Sequence, residues 1–181
     1  LAKTLESICT RYGIKVIQVR EKDTAISLTE KRQRVELEDP DIFISLHANA
    51  ASTDNGYLGA NGTSTYYHNP FWYDLARLVY QRLIELPIGH FGIVGSFNYK
   101  PIRMTARPAV LVEQAFMSQA EDEEKMADPD FRQGMADKIL HGILDYVGLM
   151  YGKPVQWPPA ESFKTLPSSP AIPTDSIPNS Q

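Results

Sequence analysis

The sequence predicts an α/β fold, with a mostly parallel central sheet flanked by helices. Two observations carry this. Short apolar or β-branched runs at 14–20, 41–46 and 109–113 are separated by stretches whose apolar residues recur at helical spacing. A capping-box sequence, Ser27-Leu28-Thr29-Glu30, stands between the first two runs and starts a helix there. Strands alternating with helices build a layered sheet.

Taken in order, Leu1, Leu5, Ile8, Cys9 and Tyr12 share one helical face, and Gly13 closes that helix. The chain opens on Leu1-Ala2-Lys3 without an initiator methionine, signal peptide or cap, which predicts that it starts inside a helix and that a piece lies upstream. Ile14–Arg20 reads as a strand, and a charged helix follows over about 28–37. Asp39-Pro40 ends it, and Asp41–Leu46 reads as a buried strand. Residues 51–62, rich in Gly and Asn, form a loop. Thr63–Tyr67 is a strand, and Pro70 suits the first turn of a helix whose inner face is Leu75, Leu78, Val79 and Leu83. Gly89, Gly92 and Gly95 mark 88–97 as a mobile loop. Asn98–Met104 and Ala109–Glu113 read as strands. Asp128-Pro129 begins a long final helix with Phe131, Met135, Ile139, Ile143, Tyr146 and Val147 inward. The domain organisation is therefore 1–151 folded, then 152–181 as a disordered tail or linker holding seven of the 13 prolines.

The totals exclude several classes. A net charge of −4 without a basic block argues against a nucleic-acid partner. Cys9 is the one cysteine, so there is neither an internal disulfide nor a cysteine-rich metal site. No apolar run approaches the roughly 20 residues that span a bilayer.

Two apolar runs end on a titratable side chain, the first on His47 and the second on Glu113. If both strands are central and parallel, these ends lie on one rim, where ligands of open α/β sheets collect. Histidine is a frequent zinc ligand, and a glutamate beside a metal-bound water can act as general base. The bland readings stand beside these: His47 as a backbone-bonded histidine, and Glu113 as the partner of Arg103 or Arg107. Asn49 could orient substrate or fix its own turn. Arg103 could bind a substrate carboxylate or be solvated. Ser45 is a poor nucleophile candidate for want of a nearby base in sequence. His68, His90 and His141 offer no signal.

The blocks Val19-Arg20 with Asp23 and Leu28, Asp41–Ala50, Gly62–Tyr67, and Arg107–Glu113 with Phe116-Met117-Ser118 occur together and in order. In this the chain resembles the zinc-dependent N-acetylmuramoyl-L-alanine amidases of the third amidase type, over about residues 1–148. The resemblance implies cleavage of the amide between muramic acid and the L-alanine of the peptidoglycan stem. It makes His47 a zinc ligand and Glu113 the catalytic glutamate; Asn49 and Arg103 remain substrate-binding candidates on their own chemistry. It also implies one zinc ion, peptidoglycan as partner, and an envelope location, periplasmic or extracellular. The family's other two ligands belong to a turn after a first strand and to the start of the first helix, both expected upstream of Leu1. On that reading the chain as it stands is metal-free and inactive. Gln114-Ala115 replaces the usual Leu-Gly after the glutamate, and Ala115 is expected to resist a positive φ. Phe91 stands where an arginine is common. The alternative is a non-catalytic peptidoglycan-binding or regulatory module of the same fold; an unrelated α/β protein in which His47 and Glu113 are structural is a further possibility.

Overall fold

A computed structural model describes the backbone of residues 1–53, 56–57, 59–95, 100–103 and 106–153, with the side chains of 52–57 left aside. The elements run α1 (Ala2–Arg11), α2 (Leu28–Glu38), β1 (Phe43–Asn49), β2 (Ser52–Thr53), β3 (Gly56–Tyr57), β4 (Thr63–Tyr67), α3 (Tyr73–Leu83), β5 (His90–Gly95), β6 (Ala109–Phe116), α4 (Ala120–Ala127) and α5 (Pro129–Tyr151). Two short 3₁₀ helices, Pro70–Trp72 and Lys100–Arg103, complete the set.

Four strands form one mixed sheet in the order β1-β6-β4-β5. β1 runs parallel to β6 and β5 parallel to β4, while β4 and β6 are antiparallel. β6 is flanked on both sides. Its sequence AVLVEQAF is apolar almost throughout, as a strand covered on both faces requires, and all of it but Gln114 is buried.

Alternate residues of the sheet feed two cores. Val110 and Val112 join Ile44 and Leu46 in the larger core, under α1, α3 and α5. Ala109 and Leu111 face the other way, into a smaller cluster with Tyr66, Trp72, Ile102 and Phe43. Helices α3 and α5 approach closely at Gly142, where an added Cβ would lie 2.4 Å from the Val79 Cα.

The local chemistry explains the helix boundaries. Ser27 Oγ accepts from the Glu30 N–H while Glu30 returns a bond to the Ser27 N–H, as the capping sequence predicts. Asp128 accepts from the Asp130 N–H with Pro129 in the first turn, and Gly152 closes α5 in the left-handed region.

Several expectations are corrected. Ile14–Arg20 forms no strand and has no ladder among the described residues; Ile14 and Val16 pack on the larger core instead. Residues 90–95 are not a loop but β5, held by a parallel ladder to β4 that Ile93 and Val94 suit. Lys100–Arg103 is a 3₁₀ helix rather than strand, since Pro101 has no N–H to give a ladder. The 51–62 loop contains the two-residue pair β2–β3. Helix α4 was not expected at all. Ala115 sits in β6 with no exposure, and Asp39 is the one non-glycine residue of positive φ among those described, so the feared strain does not arise. Of the predicted tail, residues 154–181 lie outside the described residues, as do 98, 99 and 104 of the predicted strand.

Candidate active site

The site begins with strand register. His47 on β1 stands opposite Glu113 on β6, Glu113 opposite Ser64 on β4, and Ser64 opposite Gly92 on β5. Register partners project to the same face, so one transverse row reads imidazole, carboxyl, hydroxyl and no side chain at all. Glu113, Leu111 and Ala109 share that face by the two-residue period of a strand, which puts the row beside the smaller core.

Glu113 is 4% exposed, and its Oε2 has no hydrogen-bond partner among the described residues. Burial raises its carboxyl to about 7. The Ser64 hydroxyl, fully buried one strand away, is likewise unpartnered. Each such buried orphan costs about 1–3 kcal/mol. Two in one register row are hard to explain as packing, whereas sites for chemistry are where such costs are retained. The structural alternative for Glu113 fails: Arg107 pairs with Asp39 at 2.6 Å, and Arg103 forms no ion pair among the described residues.

His47 is half-buried, and burial together with the charge of Lys31 lowers its pKa. A neutral ring carries a lone pair that can bind a metal. Its Nε2 lies 3.0 Å from the Ser45 hydroxyl, two residues back on the same strand face. Ser45 therefore does have a base beside it, because the pleat places i and i+2 together.

The ladder breaks just beyond. Asn49 pairs with Phe116, so β6 carries an extra residue opposite Ala48. The Gln114 amide Nε2 donates to the His47 carbonyl at 3.0 Å and spans this bulge. Asn49 fixes its own turn: its Oδ1 accepts from the Ala50 N–H, and its carbonyl from the Met117 N–H. On the other side, the buried Asp122 of α4 accepts from the N–H groups of Gly62 (2.6 Å) and Phe116 (3.0 Å). The Thr63 hydroxyl donates to the Glu113 carbonyl. Gly62, at φ 90, meets Gly89 so closely that a Cβ would lie 2.0 Å from the Gly89 carbonyl oxygen. Asp122, Thr63 and Gln114 thus fix the backbone around Glu113. Sequence reading missed all three roles, since Asp122–Gly62, Thr63–Glu113 and Gln114–His47 each join residues 50 or more apart in the chain.

Arg103 is exposed on its 3₁₀ helix and lines a cavity with His68 and Lys100, a lining that does not include His47, Glu113 or Ser64. Phe91 packs on Phe116 with ring centroids 5.2 Å apart. Among the described residues no three His, Cys, Asp or Glu side chains form a metal-binding group, and no helix is long and apolar enough to cross a membrane. The donor set thus offers one imidazole beside one carboxyl, short of the three protein ligands of a catalytic zinc site.

Comparison with known proteins gives this arrangement a context. The model of the N-acetylmuramoyl-L-alanine amidase family matches residues 1–145. An uncharacterised cell wall amidase of Bacillus anthracis is 33% identical over 136 residues, which cover 69% of this chain and 24% of that protein. The N-acetylmuramoyl-L-alanine amidase LytC of Bacillus subtilis is 26% identical over 150 residues, 81% of this chain and 29% of LytC. The catalytic domain of CwlV, an N-acetylmuramoyl-L-alanine amidase from Bacillus (Paenibacillus) polymyxa var. colistinus, superposes with a TM-score of 0.73 at 30% identity, covering 81% of this chain and 80% of that one. The chain spans from about a quarter to just under two thirds of the length of the first curated relatives it matches.

Proposed function

The chain belongs to the N-acetylmuramoyl-L-alanine amidase family, and on that premise we propose that it serves hydrolysis of the amide between N-acetylmuramic acid and the L-alanine of the peptidoglycan stem. The observation that carries this is Glu113: a buried carboxyl with a free oxygen, raised to about 7, in register with a neutral imidazole. A carboxyl titrating near neutrality can take a proton from an attacking water and return it to the departing amine. Thr63 and Gln114 hold the flanking backbone still while it does so.

His47 is the metal ligand this chain offers. A zinc site requires two further protein ligands, and the described residues group none with His47. Zinc, when bound, would supply a polarised carbonyl and an acidified water. Peptidoglycan is the partner, and the cell envelope, periplasmic or extracellular, is where it is met.

The test joins the chain to a family segment bearing the two other ligands. Zinc stoichiometry and release of stem peptides with new L-alanine amino groups from purified peptidoglycan are then measured. The joined protein is expected to bind one zinc and release stem peptide, and the chain alone to do neither. Glu113→Gln should keep zinc and lose activity by about 10²-fold or more. Retained turnover in that variant would remove Glu113 from the chemistry.

The incomplete donor set favours a second reading, a module that binds peptidoglycan without cutting it. Zinc binding and wall binding by the joined protein, with no stem release, would select it.

A further inference from the structure

A cavity of about 580 Å³ opens between the first turn of α2, the 3₁₀ helix Lys100–Arg103 and the end of β4. Its lining is Leu28, Thr29, Arg32, His68, Lys100 and Arg103. Three of these six are permanent cations, one is an imidazole, and none is acidic. That balance is unexpected in a chain of net charge −4. Lys100 and Arg103 have no carboxylate partner among the described residues, and both are exposed. Arg32 pairs with Glu36 at 2.6 Å, but both side chains are more than half exposed, and such a surface pair yields readily to another anion. The cavity between α3 and the end of α5 is less one-sided, with Asp145 beside Arg77 and Lys153.

The cavity also lies on the catalytic face. Ile102, within the 3₁₀ helix, is buried among Tyr66, Trp72, Ala109 and Leu111. Leu111 and Ala109 precede Glu113 by two and four residues on the same strand face. At about 3.3 Å per residue, the 3₁₀ helix stands roughly 7–13 Å from the Glu113 level. His68 follows β4 by one residue on the side shared by Ser64 and Tyr66, at the same end.

We propose that this cavity is an anionic subsite that takes the free α-carboxylate of the second residue of the peptide stem. The inference rests on the amidase reading and deepens it. An extended peptide advances about 3.5 Å per residue, so a carboxylate on the second residue lies about 7 Å from the scissile amide, within the span above. A guanidinium and an ammonium supply charge-assisted hydrogen bonds to it, and the Leu28 side chain gives the stem an apolar wall. Stems whose second residue is amidated lose that anchor. The subsite therefore discriminates free-acid from amidated peptidoglycan.

Binding can be measured without turnover. The chain is titrated calorimetrically with muramoyl-L-alanyl-D-isoglutamate and with its α-amide, muramoyl-L-alanyl-D-isoglutamine. The acid is expected to bind about tenfold or more tightly than the amide, with the preference shrinking as salt rises. The Arg103→Gln/Lys100→Gln double variant changes exposed side chains only, and its folding is checked by circular dichroism. It is expected to bind acid and amide alike. Equal affinity of the two ligands in the unaltered chain, absence of binding by either, or a preference that survives in the double variant would each overturn the subsite. Stem release by the joined protein is followed in parallel. Release with no acid preference sinks the subsite and spares the amidase reading; acid preference with no release does the reverse.

Discussion

At the scale of single residues, Glu113 makes a pH-dependent contribution to stability that can be measured on the chain itself. Unfolded, its carboxyl titrates near 4.5; folded, burial raises it to about 7. The native state therefore binds the proton more tightly. Its contribution is full below the unfolded value and is lost as pH rises through the folded one. Relative to Glu113→Gln, the unaltered chain should lose about 2–3 kcal/mol of stability as pH rises from about 4.5 to about 7, read from urea unfolding at stepped pH. His47 titrates in the opposite sense, lowered by burial and Lys31, and the difference between the two proteins removes it. Parallel curves would show that the carboxyl is not held in a poorly solvated place. Both residues were legible as candidates, because an apolar run that meets a titratable group is a local pattern, but the strands do not end there: they run on to Asn49 and Phe116, carried by a ladder the sequence does not show. Ser64 was not, since nothing in TSTYY distinguishes a threonine bonded to backbone from a serine left without a partner.

At the scale of elements, the buried Asp122 carboxylate ties α4 to the start of β4 and the end of β6. Asp122→Ala leaves two buried N–H groups unsatisfied. It is expected to cost about 2–4 kcal/mol in denaturant midpoint analysis. A loss within about 0.5 kcal/mol would mean that other groups or water replace the carboxylate. Helices α2, α3 and α5 were readable because caps, prolines and 3.6-residue periodicity act within a few residues. Three assignments failed for the reverse reason. Ile14–Arg20 has the composition of a strand and lacks a neighbour, while His90–Gly95 has the composition of a loop and gains one. Lys100–Arg103 was read past its proline.

At the scale of the whole molecule, protection should follow the sheet. β6 is laddered on both sides and buried on both faces, whereas among the described residues β1 has a partner on one side only and Ile14–Arg20 has no ladder. Amide hydrogen exchange is expected to be slowest over Ala109–Phe116, intermediate in β1 and fastest in 14–20. Protection in 14–20 equal to that of β6 would contradict this topology. The same arrangement leaves one face of the sheet packed by α1, α3 and α5, and gives the other over to the row of His47, Glu113 and Ser64.

The sequence by itself determined the α/β class, the caps of α2 and α5 and the two strands that bear His47 and Glu113. It also carried enough ordered motif to imply the amidase family. Those properties are written in side chains a few residues apart, where capping, periodicity and turn chemistry operate. The tertiary structure decided that His47 faces Glu113, that Ser64 completes the row, that Gln114 and Asp122 brace it, and that Arg103 joins Lys100 and His68 around one cavity. Each of these depends on register or packing between segments remote in the chain, which the long-range hydrogen-bond ladder and the two cores select together.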